Sequence, residues 1–446
     1  MPQYLDEVVT CASTAIPTRI ITENLPAHSI WKAIAASLPD QGPHCWFWWE
    51  KTGHTLAVLI EKAGYNIESQ YKVLLFYYLH VIPALGPSPC IDVRTPRWKS
   101  FMTDDYTPVE FSWSWGDGNK PPVIRFSVEP IGAFAGTDVD PVNEHAAERF
   151  VNRLASLLPG IDLDLYHHFS QELLIDSQAF YTPDLSSVQE RSQQFVAFDL
   201  NKKGIKVKAY FIPSLKAKKT GKTRLDLVQY AIHTVQQGSR EKVQQSCSTA
   251  FDFLRGNEQT LRLQVEILGI DCADRTSSRM KIYFRSQLTS FDSVQEIMTL
   301  KGRLGTSNLE SGLKDLRQLW SRLLWNEMDF DSSSSLPPKL HRTSGILYYL
   351  EIRPDRPNPV PKVYIPVRYY SSSDLDVARQ VTTILSDSCS ASTREKYTEA
   401  LEFAFPASLL ANFCRAQTYI ACTIKDRALH IISYINPGVY SHTSVH

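Results

Sequence analysis

One pattern restricts the fold of this chain more than any other: two helix-like stretches followed by two strand-like ones, recurring five times along 446 residues. Apolar residues at helical spacing run through 45–63 (Leu56, Leu59, Ile60) and 67–82 (Tyr71, Leu74, Leu75, Tyr78). Strand-like runs follow at 109–115 and 122–129, separated by the turn residues Gly116-Asp117-Gly118-Asn119. The order repeats with helices near 143–157 and 164–178 before strands near 194–200 and 205–212, turned at Asn201 to Gly204. Helices near 224–236 and 241–254 precede strands near 260–269 and 279–285, and helices near 291–300 and 309–325 precede 344–352 and 361–368. The last cycle places helices near 373–386 and 392–404 before strands near 415–424 and 427–435. Repeats of one unit must bury a common face, and hairpins set side by side with helices outside do so by closing. The expected fold is therefore a ten-stranded antiparallel β-barrel, wide enough for a solvent-filled lumen, surrounded by a ring of paired α-helices. The alternative is a two-domain mixed protein. The basic run Lys216 to Lys222 reads as a hairpin or inter-repeat loop, and Asp331 to Pro338 as an exposed connection; neither reads as a domain boundary.

Within the strands, cations and phenols stand at every second residue: Lys208 and Tyr210; Arg279, Lys281 and Tyr283; Lys362 and Tyr364. Strand alternation puts each set on one face. With no matching carboxylates evident nearby, several enclosed cations imply an anion as highly charged as a diphosphate. A solvated basic sheet face is the plainer reading.

Lys plus Arg and Asp plus Glu each total 47, so nothing in the net charge recruits nucleic acid or an anionic membrane. The start Met1-Pro-Gln-Tyr-Leu-Asp-Glu lacks a signal-peptide pattern, and the most apolar stretch, Val73 to Leu85, is short and interrupted by His80 and Pro83. A cytoplasmic protein is expected. The eight cysteines (11, 45, 90, 247, 272, 389, 414 and 422) have neither zinc-ligand nor disulfide-framework spacing and read as buried thiols. Gly221-Lys222-Thr223 ends like a phosphate-binding loop, but Lys216 stands where its first glycine belongs. Nucleophile-elbow and zinc-helix motifs are absent. Asp104-Asp105, Asp138 with Asp140, and Asp162 with Asp164 adjoin turns or helix starts, where capping is the commoner role.

Longer stretches carry a family likeness. Trp98 to Ser112 (with Phe101, Met102 and Glu110), Ile124-Arg125 through Gly132, Ala135-Gly-Thr and Asp140-Pro-Val-Asn143 resemble the fungal dimethylallyltryptophan synthase (DMATS) type of aromatic prenyltransferase. Lys208-Ala-Tyr210-Phe-Ile-Pro, Arg279-x-Lys281-x-Tyr283, Pro361-Lys362-Val-Tyr364-Ile-Pro, and Gln70 with Leu85-Gly-Pro87 are similar to the same family, in order from about 44 to 435. The resemblance implies one prenyltransferase domain over 1–446: an N-terminal extension with a helix over 1–43, barrel repeats over 44–435 and a tail over 436–446. It implies the ten-stranded ABBA barrel and metal-independent transfer of a prenyl group to an aromatic ring in secondary metabolism, with no cofactor required. Dimethylallyl diphosphate, or a longer prenyl diphosphate, is the implied donor, and an aromatic small molecule the acceptor. No nucleic-acid or membrane partner is expected, and homodimerisation stays open.

Carried over by position, the likeness assigns Arg125, Lys208, Arg279, Lys281, Lys362 and Lys425 to the diphosphate, and Tyr210, Tyr283, Tyr364, Tyr419 and Tyr434 to the prenyl site. Glu110, Phe101 and Met102 fall to the acceptor, with Glu110 and Lys208 as catalytic groups. The family often has Gln in place of Lys362, Arg in place of Lys425 and Tyr in place of His430. No metal ligands are assigned. Fixed cations would stabilise departing diphosphate, tyrosine faces the allylic cation, and Glu110 would accept a hydrogen bond from the attacking ring. Lys208 would relay the ring proton. The carboxylate favours an indole acceptor over a phenolic or polyketide ring. Two readings of other classes remain: a phosphate-ester hydrolase and a non-catalytic binder of an anionic ligand.

Overall fold

A computed structural model describes residues 30–89, 96–116, 120–182, 185, 187–201, 204–235, 241–305, 309–325, 330–339, 341–386 and 388–440. The chain before residue 30, the tail beyond 440, Cys11, Cys90, and parts of the two expected turns (117–119 and 202–203) lie outside that set.

Ten antiparallel strands close into a barrel. They are β1 (Val109–Ser114), β2 (Val123–Val128), β3 (Gln194–Asn201), β4 (Gly204–Phe211), β5 (Leu263–Asp271), β6 (Met280–Ser286), β7 (Ile346–Ile352), β8 (Val360–Ile365), β9 (Gln417–Lys425) and β10 (Ala428–Ile435). Sequential strands pair, and β1 pairs with β10 through Phe111–Ile435 and Ser112–Tyr434 to close the ring. Closure removes both sheet edges, so no strand is left with a row of unpaired backbone groups.

Each hairpin follows a helix pair: His54–Lys62 with Ile67–Phe76, Ala146–Leu157 with Asp164–Leu173, Arg224–Val235 with Glu241–Asn257, Phe291–Met298 with Glu310–Leu324, and Asp374–Ile384 with Ala391–Ala404. Caps mark several starts, as where Asn66, Ser290, Ser373 and Ser390 accept hydrogen bonds from backbone N–H groups three residues on. The alternate strand residues that point outward are large and apolar. Phe111, Trp113, Phe126, Phe198 and Phe284 are all buried against the helical layer. Each such side chain contributes about 1.5–3 kcal/mol by burial, so the main core lies between barrel and helices and the lumen is free to carry polar groups.

The structure departs from the sequence reading in places with identifiable causes. The stretch 45–63 is interrupted by a π-helical turn at Trp49–Gly53, where Trp31 Nε1 donates to the Trp49 carbonyl at 3.4 Å. A Cβ on Gly53 would fall 2.6 Å from the Trp49 ring, so the turn needs glycine there. The second stretch tightens through a π turn at Tyr77–Val81 into a 3₁₀ turn at Ile82–Leu85 containing Pro83, and Tyr71 stands exposed. The basic run read as a loop is a helix, Ser214–Thr220. Leu215 is buried under it, and Lys216 Nζ donates to the carbonyls of Gln171 and Leu174 at 3.2 Å each, closing the C-terminal end of Asp164–Leu173. Of the described cysteines, 247, 272, 389, 414 and 422 are buried free thiols and Cys45 is half-buried.

The carboxylate of Asp374 ties a helix start to the barrel. Fully buried, it accepts backbone N–H groups of Arg415 (2.9 Å), Ala416 (3.0 Å) and Gln417 (2.7 Å) at the entry to β9. Asp374→Ala orphans those donors and is expected to cost on the order of 3 kcal/mol, read as a lower Tm in a thermal scan. An unchanged Tm would show that the entry to β9 does not depend on this carboxylate.

Candidate active site

Antiparallel order brings the starts of even-numbered strands and the ends of odd-numbered strands to the same mouth of the barrel. Inward positions there carry Arg125 (β2), Lys208 (β4), Lys281 (β6), Lys362 (β8) and Lys425 (β9), with Arg279 immediately before β6. Lys208, Lys281 and Lys362 are buried, although each is a charged residue in a strand of only six to eight.

The expectation of no matching carboxylates is corrected here. Asp199 lies 2.5 Å from Lys208 Nζ and 3.2 Å from Arg125 Nε. Asp271 holds Arg279 through two bonds, of 2.6 and 3.1 Å. Glu351 lies 3.4 Å from Arg279 and 3.9 Å from Lys281. These acids sit beside the cations through cross-strand pairing of Arg125 with Asp199, Lys208 with Asp271, and Lys281 with Glu351. Even so, the six cations exceed these three carboxylates. Lys362 makes no ion pair among the described residues; burial and the charges of Arg125 and Lys425 push its ammonium well down from the usual lysine range. Burial also pushes Lys208 down, reinforced by Lys281 and Arg125 and opposed by Asp199. Asp199, despite burial, is held well below the usual carboxylate range by Lys208 and Arg125.

Beyond the cations lies a layer of phenols. Tyr210 stacks on Phe195 at 4.4 Å and meets the Tyr283 edge at 5.9 Å. Tyr364 contacts Tyr283, Tyr419 and Tyr434 at 6.1, 6.0 and 5.5 Å between ring centres. Phe195, Tyr349 and Gly269 were missed in the sequence. Tyr349 packs 5.2 Å from Tyr283, with the ammonium groups of Lys362 and Lys281 lying 5.2 and 5.9 Å from its ring centre. Alternation with Glu351 was the available signal for it. Gly269, paired with both Tyr210 and Lys281, leaves room for the Tyr210 ring: a Cβ there would approach within 2.8 Å.

Glu110 occupies the other side of the layer, near the start of β1. Thr418 donates to its Oε1 at 2.7 Å, leaving Oε2 without a protein donor among the described residues. Burial pushes Glu110 up to about 8, opposed by the Thr418 bond, with Asp104 adding to the rise and Arg368 resisting it. Phe101 and Met102 pack against the luminal aromatic cluster at this end, and Phe101 stacks 6.5 Å from Phe195. His430 is half-buried near the start of β10, and Lys425 is partly exposed at the end of β9. Asp105, Asp140 and Asp162 all accept nearby backbone N–H groups in turns, as expected of capping acids. No group of three or more His, Cys, Asp or Glu suited to a metal occurs among the described residues. None of their helices is long and apolar enough to cross a membrane.

The lumen thus has a cationic end, an aromatic middle and an acidic site beneath the 98–107 segment. Known proteins are similar in sequence and fold. The tryptophan dimethylallyltransferase family model matches residues 44–400. A 4-O-dimethylallyl-L-tyrosine synthase of Claviceps purpurea is 36% identical, covering 89% of each chain. A 7-dimethylallyltryptophan synthase of Aspergillus fumigatus is 32% identical, over 91% of this chain and 88% of its own. Among solved structures, NotF in complex with brevianamide F and DMSPP superposes with a TM-score of 0.79 at 26% identity, covering 92% of this chain and 99% of NotF. AnaPT from Neosartorya fischeri shares the fold at a TM-score of 0.80, covering 91% of this chain and 97% of its own. With its barrel, its luminal layers and a family match across most of its length, the chain belongs to the tryptophan dimethylallyltransferase family of aromatic prenyltransferases.

Proposed function

We propose that this prenyltransferase moves a dimethylallyl group from its diphosphate to an indole ring, without an obligatory metal. The observation that carries the reading is the luminal excess of cations over Asp199, Asp271 and Glu351, separated by tyrosines from Glu110. Arg125, Lys208, Arg279, Lys281, Lys362 and Lys425 are assigned to the diphosphate. As the bond from the allylic carbon to the diphosphate oxygen breaks, they stabilise the growing negative charge. Tyr210, Tyr283, Tyr349, Tyr364, Tyr419 and Tyr434 present ring faces to the allylic cation and keep water from it. The acceptor ring attacks the allylic carbon while Glu110 Oε2 takes a hydrogen bond from its N–H. The ring then loses the proton at the attacked carbon, a step assigned to Lys208 in its neutral-amine form, which burial makes accessible; having taken the proton, Lys208 joins the other cations facing the departed diphosphate. A phenolic acceptor is the second reading, favoured by the similarity to the Claviceps tyrosine enzyme; a phenol O–H meets the same carboxylate.

Purified protein given dimethylallyl diphosphate, EDTA and a panel of L-tryptophan, simple indoles, L-tyrosine and a xanthone is expected to yield an indole product heavier by one isoprene unit. Mass spectrometry reads the outcome. Transfer only to the phenols selects the second reading. Diphosphate release to water alone would indicate a hydrolase, and binding without turnover a non-catalytic barrel.

The position of Glu110 predicts a pH signature. Its folded pKa of about 8 lies above the ordinary carboxylate value, so the anionic acceptor of the hydrogen bond becomes populated as pH rises through about 8. Acceptor kcat/KM is expected to rise across that window. Glu110→Gln should lose the rise and slow transfer by about 10²–10⁴-fold, while hydrolysis of the donor persists. A Gln variant with the wild-type profile would remove Glu110 from the reaction.

A further inference from the structure

The segment 98–107 closes the Glu110 end of the lumen, and the groups that hold it come from opposite walls. In the ring of ten strands, β2 and β7 stand five places apart. Glu129 follows β2 directly and Arg342 precedes β7 by a few residues. The buried Glu129 carboxylate accepts Trp98 Nε1–H at 2.7 Å through Oε1. Through Oε2 it accepts the Ser100 hydroxyl at 2.5 Å, the Ser192 hydroxyl at 2.9 Å and the Phe101 N–H at 3.1 Å. From across the mouth, the Arg342 guanidinium donates to the carbonyls of Ser100 (3.2 Å), Phe101 (3.0 Å) and Thr103 (2.9 Å). The same guanidinium lies over the rings of Phe101 and Tyr106, at 5.4 and 5.3 Å.

Both backbone polar groups of Phe101 are therefore fixed by side chains that flank distant strands, its N–H shared between Glu129 and the Ser192 hydroxyl (3.0 Å) and its carbonyl held by Arg342. A peptide unit held from both walls has little freedom to rotate, and the Phe101 and Met102 side chains are fixed with it over the tyrosine layer. Beyond them, Asp105 accepts Asn436 Nδ2–H at 3.0 Å and the Tyr440 N–H at 3.3 Å, anchoring the far end past β10.

We infer that Glu129 and Arg342 are positioning residues that stretch 98–107 as a strap across the mouth, setting acceptor affinity and excluding water from the allylic cation. Neither residue needs to touch substrate; each acts through Phe101 and Met102. The inference rests on the prenyl-transfer reading above. With the strap slack, water adds to the allylic carbon and loses a proton to solvent, so diphosphate leaves with dimethylallyl alcohol as the by-product. The donor's cation cluster lies at the other end of the lumen and is unaffected.

The test uses Glu129→Gln and Arg342→Met in the full chain, with dimethylallyl diphosphate and L-tryptophan or L-tyrosine as acceptor probe. Each variant loses charge-assisted bonds to the strap, so acceptor KM and the ratio of alcohol to prenylated product are expected to rise about ten- to a hundredfold. Donor KM should stay at the wild-type value, and Arg342→Lys should fall between wild type and Arg342→Met. The product ratio is internal to each active molecule, so partial misfolding lowers the total rate without changing it. Variants that lose only total rate, with wild-type acceptor KM and product ratio, would overturn the strap alone. A wild-type protein that prenylates no acceptor would overturn the reaction itself, and this inference with it.

Discussion

Lys362 brings its ammonium into a closed barrel beside Arg125, Lys281 and Lys425, with Glu351 too distant for an ion pair. In so enclosed a space like charges repel more strongly than in water, and each uncompensated ion carries a desolvation cost of several kcal/mol. Asp199, Asp271 and Glu351 offset part of the cost, and each is committed to Arg125, Lys208, Arg279 or Lys281. The barrel and its helical coat hold the remaining cations together, and an incoming polyanion relieves the repulsion. Stability is given up at one end of the lumen so that a departing diphosphate meets charges already in place.

The other layers follow from the same geometry. An allylic cation would be repelled by bare lysines and arginines, and the tyrosine faces between it and them supply the opposite electrostatics. Gly269 gives the Tyr210 ring its place, while Lys281 and Lys362 approach Tyr349 from the cationic side. Glu110 stands on the far side of the phenols, where its partner is the neutral Thr418 hydroxyl and burial keeps its affinity for protons high. One lumen thus keeps a polyanion site and a hydrogen-bond acceptor apart.

Much of this was legible from residue order. The five helix-helix-strand-strand units and the inward lysines and tyrosines are local patterns, set by periods of 3.6 and 2 that a single strand or helix reveals. What local order could not show was cross-strand register. Glu351 meets Lys281 only because β6 and β7 pair at those residues, 70 positions apart, and Asp199 reaches Arg125 through the pairing of β2 with β3. Tyr349 was hidden for the opposite reason: the doublet Tyr348-Tyr349 reads the same on either face until one ring is seen packed on Phe284 and the other in the lumen. The helix Ser214–Thr220 escaped because its lysines suggested solvent, whereas Lys216 closes a neighbouring helix end. Glu129 lies inside the Ile124–Gly132 run but that run gives it no role, Arg342 carries no motif, and both matter through a segment that crosses between them.

The central claim is that the luminal cations are destabilising alone and stabilising with diphosphate. Lys362→Met tests it most directly, since methionine preserves much of the side chain's length and removes only the ammonium. Thermal scans without ligand and calorimetric titration with dimethylallyl thiolodiphosphate in EDTA give the two readouts. The account predicts that the variant melts higher than wild type when empty, and binds the analogue about ten- to a hundredfold more weakly. A variant that melts lower when empty, or that binds the analogue as tightly as wild type, would contradict it.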